Sequence, residues 1–313
     1  MIFDAHGDIL TDIYNETKRG NRNSFMTKHY SKYIQAGITQ GIFVNWTDPN
    51  TCDKSYFESV FDVAIEELIT HNDLLSICYT YDDLIKANHK HKIGILLGIE
   101  GVKYLSEPED IIKLYQRGIR HVGLTWNEKN DYAGGVSFPE QGLTEKGRRL
   151  LKIMQENQMI IDLSHANPKT FDDIITATYG PIVISHGNVK SLCDHPRNYT
   201  DEQMLKVASR GGVIGLCAVA NFISKDKDNQ TITYLAKHID YAVKLLGIDH
   251  VGLGLDVCYY LDEGKTSTGV KGLETIAEAK NIITELQNLG YDQLNIDKIT
   301  HLNFLRVVKE VLG

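Results

Sequence analysis

The chain contains no Cys-x-x-Cys pair, and its five cysteines (Cys52, Cys78, Cys193, Cys217 and Cys258) are odd in number and widely scattered. A disulfide framework is therefore not expected; reduced thiols fit better and favour the cytoplasm. Lys and Arg form no cluster and the formal charge is −8, so the phosphate neutralisation that nucleic-acid binding needs is missing. No stretch approaches an apolar membrane span. The opening Met1-Ile2-Phe3-Asp4 has no basic flank, long apolar run or small-residue cleavage site, and reads as a first strand. The closing Arg306–Gly313 reads as an amphipathic helix, not an anchor tail, so no membrane partner is expected. No repeat, low-complexity tract or Pro/Gly linker divides the chain, and one domain over residues 1–313 is the expectation.

With 42% hydrophobic and 24% charged residues the chain can bury a full core. Eight short apolar runs recur: near Ile2–Ala5, Gly41–Asn45, Ile93–Ile99, His121–Thr125, Met159–Leu163, Ile182–Ser185, Val213–Cys217 and Val251–Leu255. Most are nearly continuous Ile, Leu, Val and Gly, as in parallel strands covered on both faces. Between them lie helix-period stripes. Phe57, Val60, Phe61, Ala64, Ile65, Leu68 and Ile69 form the clearest, and Ile232 through Leu246 repeats the pattern before a terminating Gly247. Residues 20–32 and 258–272 read as loops. The pattern predicts an α/β fold, a single (β/α)8 TIM barrel with parallel strands. A doubly wound open sheet shows the same alternation, and the placement of chemistry decides between them.

Asp4, His6 and Asp8 stand at period-2 spacing on or just after the first strand. His6 and Asp8 could grip one metal, although Asp4-Ala-His-Gly-Asp8 taken alone reads more simply as a hydrogen-bonded turn. Glu100 ends the apolar Ile95-Leu-Leu-Gly-Ile-Glu-Gly101, as a metal ligand or as an ion pair at the rim. His165 and His186 each follow a Ser at the end of consecutive strands, within reach of one ion. Asp256 follows the eighth strand. Apart from the His6/Asp8 pair, each residue comes from the carboxyl end of a different strand, where barrels place active sites. Mixed nitrogen and oxygen ligation suits zinc or a similar divalent ion, with enough ligands for two.

Asp4-Ala-His-Gly-Asp8, Gly98-Ile-Glu-Gly101, Asp162-Leu-Ser-His165, Ile184-Ser-His186, Arg197-Asn198 and Gly252-Leu-Gly-Leu-Asp256 resemble, in order, the motifs of the membrane dipeptidase (renal dipeptidase) family. Asn303-Phe-Leu-Arg-Val307 is similar to that family's closing helix, so the resemblance covers nearly the whole chain. It implies a soluble bacterial-type metallo-dipeptidase with two divalent metal ions, most simply Zn2+. His6 and Asp8 are implied to bind one ion, His165 and His186 the other, and Glu100 to bridge both. A bridging hydroxide is implied to attack the peptide bond of a small unblocked dipeptide, including one with a C-terminal D-residue. Asp256 is implied to move the proton and Arg197 to hold the substrate carboxylate. A homodimer is compatible with this resemblance.

The chain departs from the family pattern at two places. Trp126, in Gly123-Leu-Thr-Trp-Asn127, stands where the family often has His; the indole accepts no proton, so a pocket wall is expected, with Asn127 taking over part of the polar role. Cys258 replaces a common second Asp and is expected to be a small filler. The rival readings are another binuclear metal-dependent amidohydrolase or lactonase, and a non-catalytic metal-containing binding protein.

Overall fold

The computed structural model describes residues 1–261 and 269–313. Among these residues the strands are β1 (Ile2–Gly7), β2 (Ile38–Trp46), β3 (Leu75–Ile77), β4 (Ile93–Glu100), β5 (Ile119–Gly123), β6 (Ile160–Asp162), β7 (Val183–Gly187), β8 (Val213–Leu216) and β9 (Val251–Leu253). All ladders are parallel, in the order β1-β2-β4-β5-β6-β7-β8-β9. The eight apolar runs each become one strand of this path. The additional β3 pairs with Ile93–Ile95 at the start of β4, while β5 pairs with β4 from Leu97 onward, so β3 covers an edge without widening the barrel. The path curls until β9 meets β1, giving a near-closed eight-stranded TIM-type barrel. At that seam the Leu255 N–H donates to the Asp4 carboxylate at 2.8 Å, and the Asp256 N–H reaches the His6 carbonyl at 3.4 Å.

Two glycines let the strands crowd together. A Cβ on Gly254 would lie 1.7 Å from the Ser185 carbonyl oxygen, and one on Gly215 2.1 Å from the same atom. Below the mouth, Phe3, Ile42, Val44, Leu96, Val183 and Val213 form an apolar cluster with the terminal helix Asn303–Leu312. Phe304 of that helix stacks on Phe3 at 5.6 Å between ring centroids.

The two sequence stripes become the helices Lys54–Thr70 and Ile232–Leu246, the second ended by Gly247 at φ 85°. Ile69 does not join the buried face and is 54% exposed. Buried Glu67 sits on that face and accepts the Phe25 N–H at 2.6 Å. The bond fixes one end of a π-helical turn, Phe25–Tyr30, which runs on into the helix Ser31–Ala36. This corrects the expected loop over residues 20–32: the polar residues there fold as helix because a carboxylate from elsewhere caps them. The expected loop over residues 258–272 falls partly outside the described residues, which omit 262–268.

Candidate active site

Each ligand-type side chain reaches the barrel mouth through local chain geometry. After β6 the Asp162 carboxylate accepts the Ser164 N–H at 2.9 Å, an Asx-type turn that bends the chain sharply. The next residue, His165, is held at φ 66°, and Asp256 after β9 at φ 50°. Left-handed backbone is uncommon for residues other than glycine, and such strain concentrates where side-chain aim is over-determined. Glu100 closes β4 in register with Trp46 of β2 and Gly123 of β5.

The side chains converge on Glu100. Its Oε1 lies 2.6 Å from His165 Nε2, 3.5 Å from His186 Nε2 and 3.8 Å from His6 Nε2. His165 Nε2 and His186 Nε2 face each other at 2.9 Å, and His6 Nε2 is 3.7 Å from Asp8 Oδ1. His6, Glu100 and His186 offer donor atoms within 4.8 Å of one another, as do His6, Asp8 and Asp256. Apart from the buried His6 and His186, every site residue expected from the sequence opens onto one pocket of about 240 Å³.

Hydrogen bonds behind the cluster fix which nitrogen of each ring carries the lone pair. Ser185 Oγ donates to Asp162 Oδ2 at 2.5 Å, so it must accept from His186 Nδ1 at 2.9 Å. Asn127 Oδ1 accepts from His165 Nδ1 at 2.8 Å. Both Nε2 atoms therefore carry the lone pair of a neutral imidazole, the form that binds metal, and both lie within 3.5 Å of Glu100. Burial pushes Asp162 up, but His121 and the Ser185 hydroxyl and N–H more than offset it and hold the carboxylate well below its ordinary range. His121 Nε2 lies 3.2 Å from Asp162 Oδ2 without hydrogen-bond alignment, so that contact is chiefly electrostatic.

Burial governs the rest of the electrostatics. It pulls His6 down to about 3 and holds His165 and His186 well below the usual imidazole range, which keeps all three rings neutral. Burial, with the Asp256 carboxylate next, pushes Asp8 up to about 8; burial also raises Glu100 well above normal and Asp256 to about 6. Asp8 Oδ1 is buried without a hydrogen bond. Lone pairs converging on crowded carboxylates, one oxygen of them unpaired, fit a divalent cation, which removes the repulsion that raises these groups.

Several contacts lay outside the sequence reading. Cys258, expected as filler, directs its thiol at Asp8 Oδ2 (3.4 Å) and Asp256 Oδ1 (3.3 Å). Tyr260 accepts the Asp8 N–H at 3.0 Å, and the neighbouring Tyr259 hydroxyl meets His29 Nδ1 at 2.5 Å, whose Nε2 contacts Asp12 at 2.8 Å. The π-helical turn thus braces the segment after β9. Arg197, 6% exposed, donates to His186 Nε2 at 2.8 Å and lies 5.6 Å over the Phe222 ring. Trp46 of β2 also lines the pocket; only its register with Glu100, invisible in the sequence, could have singled it out.

A barrel that gathers three neutral imidazoles and three carboxylates at the carboxyl ends of its strands is a metal-dependent hydrolase in architecture and donor chemistry. Residues 1–312 match the family model described as membrane dipeptidase (Peptidase family M19). The chain belongs to that family. It is 34% identical to an uncharacterized protein in the pqqA 5′ region of Klebsiella pneumoniae, over 79% of this chain and 93% of that protein. It is 27% identical to the dipeptidase tcpJ of Claviceps purpurea, over 77% of this chain and 56% of that protein, so it spans little more than half of the latter's length. In fold it is similar to a Rhodobacter sphaeroides metallo peptidase liganded with a phosphinate mimic of the dipeptide L-Ala-D-Ala, with a TM-score of 0.89, 21% identity and 99% of both chains covered. No helix among the described residues is long and apolar enough to cross a membrane.

Proposed function

We propose that this chain is a zinc-dependent dipeptidase of small unblocked dipeptides, including those with a C-terminal D-residue. The observation that carries the reading is the single Glu100 oxygen lying within 3.8 Å of three imidazole Nε2 atoms. On this reading His6 and Asp8 would hold one ion and His165 and His186 the other, with Glu100 placed to serve both. The dipeptidase name of the Claviceps relative supports the activity, and the L-Ala-D-Ala mimic on the Rhodobacter protein supports a D-residue at the second position.

When bound, the two ions supply a water of lowered pKa and polarise the scissile carbonyl. The chain's own groups do the rest. Arg197 presents a planar fork to the substrate's terminal carboxylate. Asp256, raised to about 6 by burial, accepts the proton of the attacking water and returns it to the departing amine. Asn127 holds His165 in its metal-binding tautomer, and Trp126 walls the pocket against water. A screen of unblocked L,L and L,D dipeptides with the zinc-loaded protein is expected to find hydrolysed members of both sets. Failure to cleave any dipeptide would remove the assignment.

A further inference from the structure

The chain has only two tryptophans, and both stand at this one mouth. Trp46 ends β2 and Trp126 follows β5, so the pair flanks Glu100 of β4 from both sides. Their rings meet edge to face, with centroids 5.5 Å apart at 61°, and Trp126 lies 6.1 Å from the His165 ring. Each indole is half-buried, with part of its surface left to the pocket. The Trp46 backbone is pinned twice by one buried hydroxyl: Thr11 Oγ1 donates to its carbonyl at 2.6 Å and accepts its N–H at 2.9 Å. A ring on backbone fixed in this way, packed edge to face on its neighbour, has less conformational entropy to lose on binding than a free one.

Position around the barrel assigns the wall to one end of the substrate. Arg197, which follows β7, and the Phe222 ring beneath it occupy the opposite side of the mouth. A dipeptide with its carboxylate at Arg197 and its scissile carbonyl at Glu100 carries its N-terminal side chain towards β2 and β5. Among the described residues no Lys lines the pocket, and the lining carboxylates belong to the Glu100, Asp8 and Asp256 cluster, so none of these residues gives a charged side chain against the indoles a partner of its own.

We propose that Trp46 and Trp126 form an indole cleft that selects dipeptides whose N-terminal side chain is aromatic or large and aliphatic. This inference rests on the dipeptidase reading above and adds its substrate class. On the metal-loaded enzyme, kcat/KM for Phe-Ala and Leu-Ala is expected to exceed that for Gly-Ala by about tenfold or more, with Asp-Ala and Lys-Ala below Gly-Ala. Trp46→Ala and Trp126→Ala should each shrink the Phe-Ala to Gly-Ala ratio, whereas Trp46→Phe, which keeps a ring in place, should largely retain it.

A second measurement does not depend on turnover. Because both indoles line the site, all of the protein's tryptophan emission reports on it. Titration with the reduced-amide analogue of Phe-Ala, which lacks the scissile carbonyl, should shift that emission at lower concentration than the Gly-Ala analogue does. Equal kcat/KM for Phe-Ala and Gly-Ala, or a ratio unchanged in both alanine variants, overturns the cleft while leaving the dipeptidase intact. Selective emission changes without hydrolysis of any dipeptide would preserve the cleft and overturn the dipeptidase.

Discussion

Asp256 stands near enough to His6 and Asp8 to be a third ligand, yet it also faces the pocket as a proton acceptor. Asp256→Asn separates these roles, because Asn tolerates the φ of 50° and keeps the size of the side chain while losing its basicity. The expected outcome is a folded protein with undiminished metal and kcat lowered by ~10² to 10⁴. Metal content falling together with activity would make Asp256 a ligand, and near-normal turnover would remove it from proton transfer. The sequence pointed to His6, Asp8, Glu100, His165, His186 and Asp256 because strand ends carry a period-2 signal and their polar residues stand out against apolar runs. It assigned no part to Asp162 or Ser185, although both stand within its motifs, and did not single out Trp46; their parts depend on register between strands. Nor could it reveal the left-handed backbone at His165, which arises from a side chain three residues earlier capping its own turn.

Among the elements, the β7–β8–β9 sector depends on absent side chains as much as on present ones. Gly254→Ala would force its Cβ into the Ser185 carbonyl, two residues from Asp256 and next to His186, and is expected to cost at least about 1–3 kcal/mol. Gly123→Ala is the matched control, since its added Cβ meets nothing closer than 3.8 Å. Urea midpoints should drop for the first variant and stay near wild type for the second; equal midpoints would mean the sector yields easily. Element by element, long runs were legible and short or borrowed ones were not. β4, with eight residues and all but Glu100 apolar, announced itself. β3 has three residues, one of them Ser76, and exists because β4 offers an edge below β5. The π-helical turn needs Glu67, more than thirty positions away, to satisfy the Phe25 N–H, and no local window contains that partner.

For the molecule as a whole, acid stability has an identifiable contributor outside the Glu100 cluster. His238, in the helix Ile232–Leu246, is fully buried; its Nδ1 accepts the Val189 N–H at 3.2 Å and its Nε2 donates to the Ile223 carbonyl at 2.9 Å. Both ring nitrogens are thus committed to the neutral form, and burial lowers the group to about 4. The folded pKa is depressed, so between about 6.5 and about 4 the unfolded chain binds the proton that the folded chain refuses. Stability should therefore fall by roughly 3 kcal/mol as pH drops through that window. His238→Gln can make both hydrogen bonds without titrating, and urea midpoints measured from pH 7 to 4 should fall less steeply for it than for wild type. Parallel curves would clear His238 of the effect.

The seam between β1 and β9 bears on when activity can arise. His6 and Asp8 come from one side of it and Asp256 from the other, joined by a hydrogen bond between residues 251 positions apart, Asp4 and Leu255. At ordinary synthesis speeds β1 leaves the ribosome on the order of 10–50 s before β9. During that interval the end of β1 presents His6 and Asp8 at an open edge, with Asp256 not yet across from them. Closing the last strand against the first brings Asp256 beside His6 and Asp8, so on the proposed reading a barrel unzipped at this seam is expected to be hydrolytically silent.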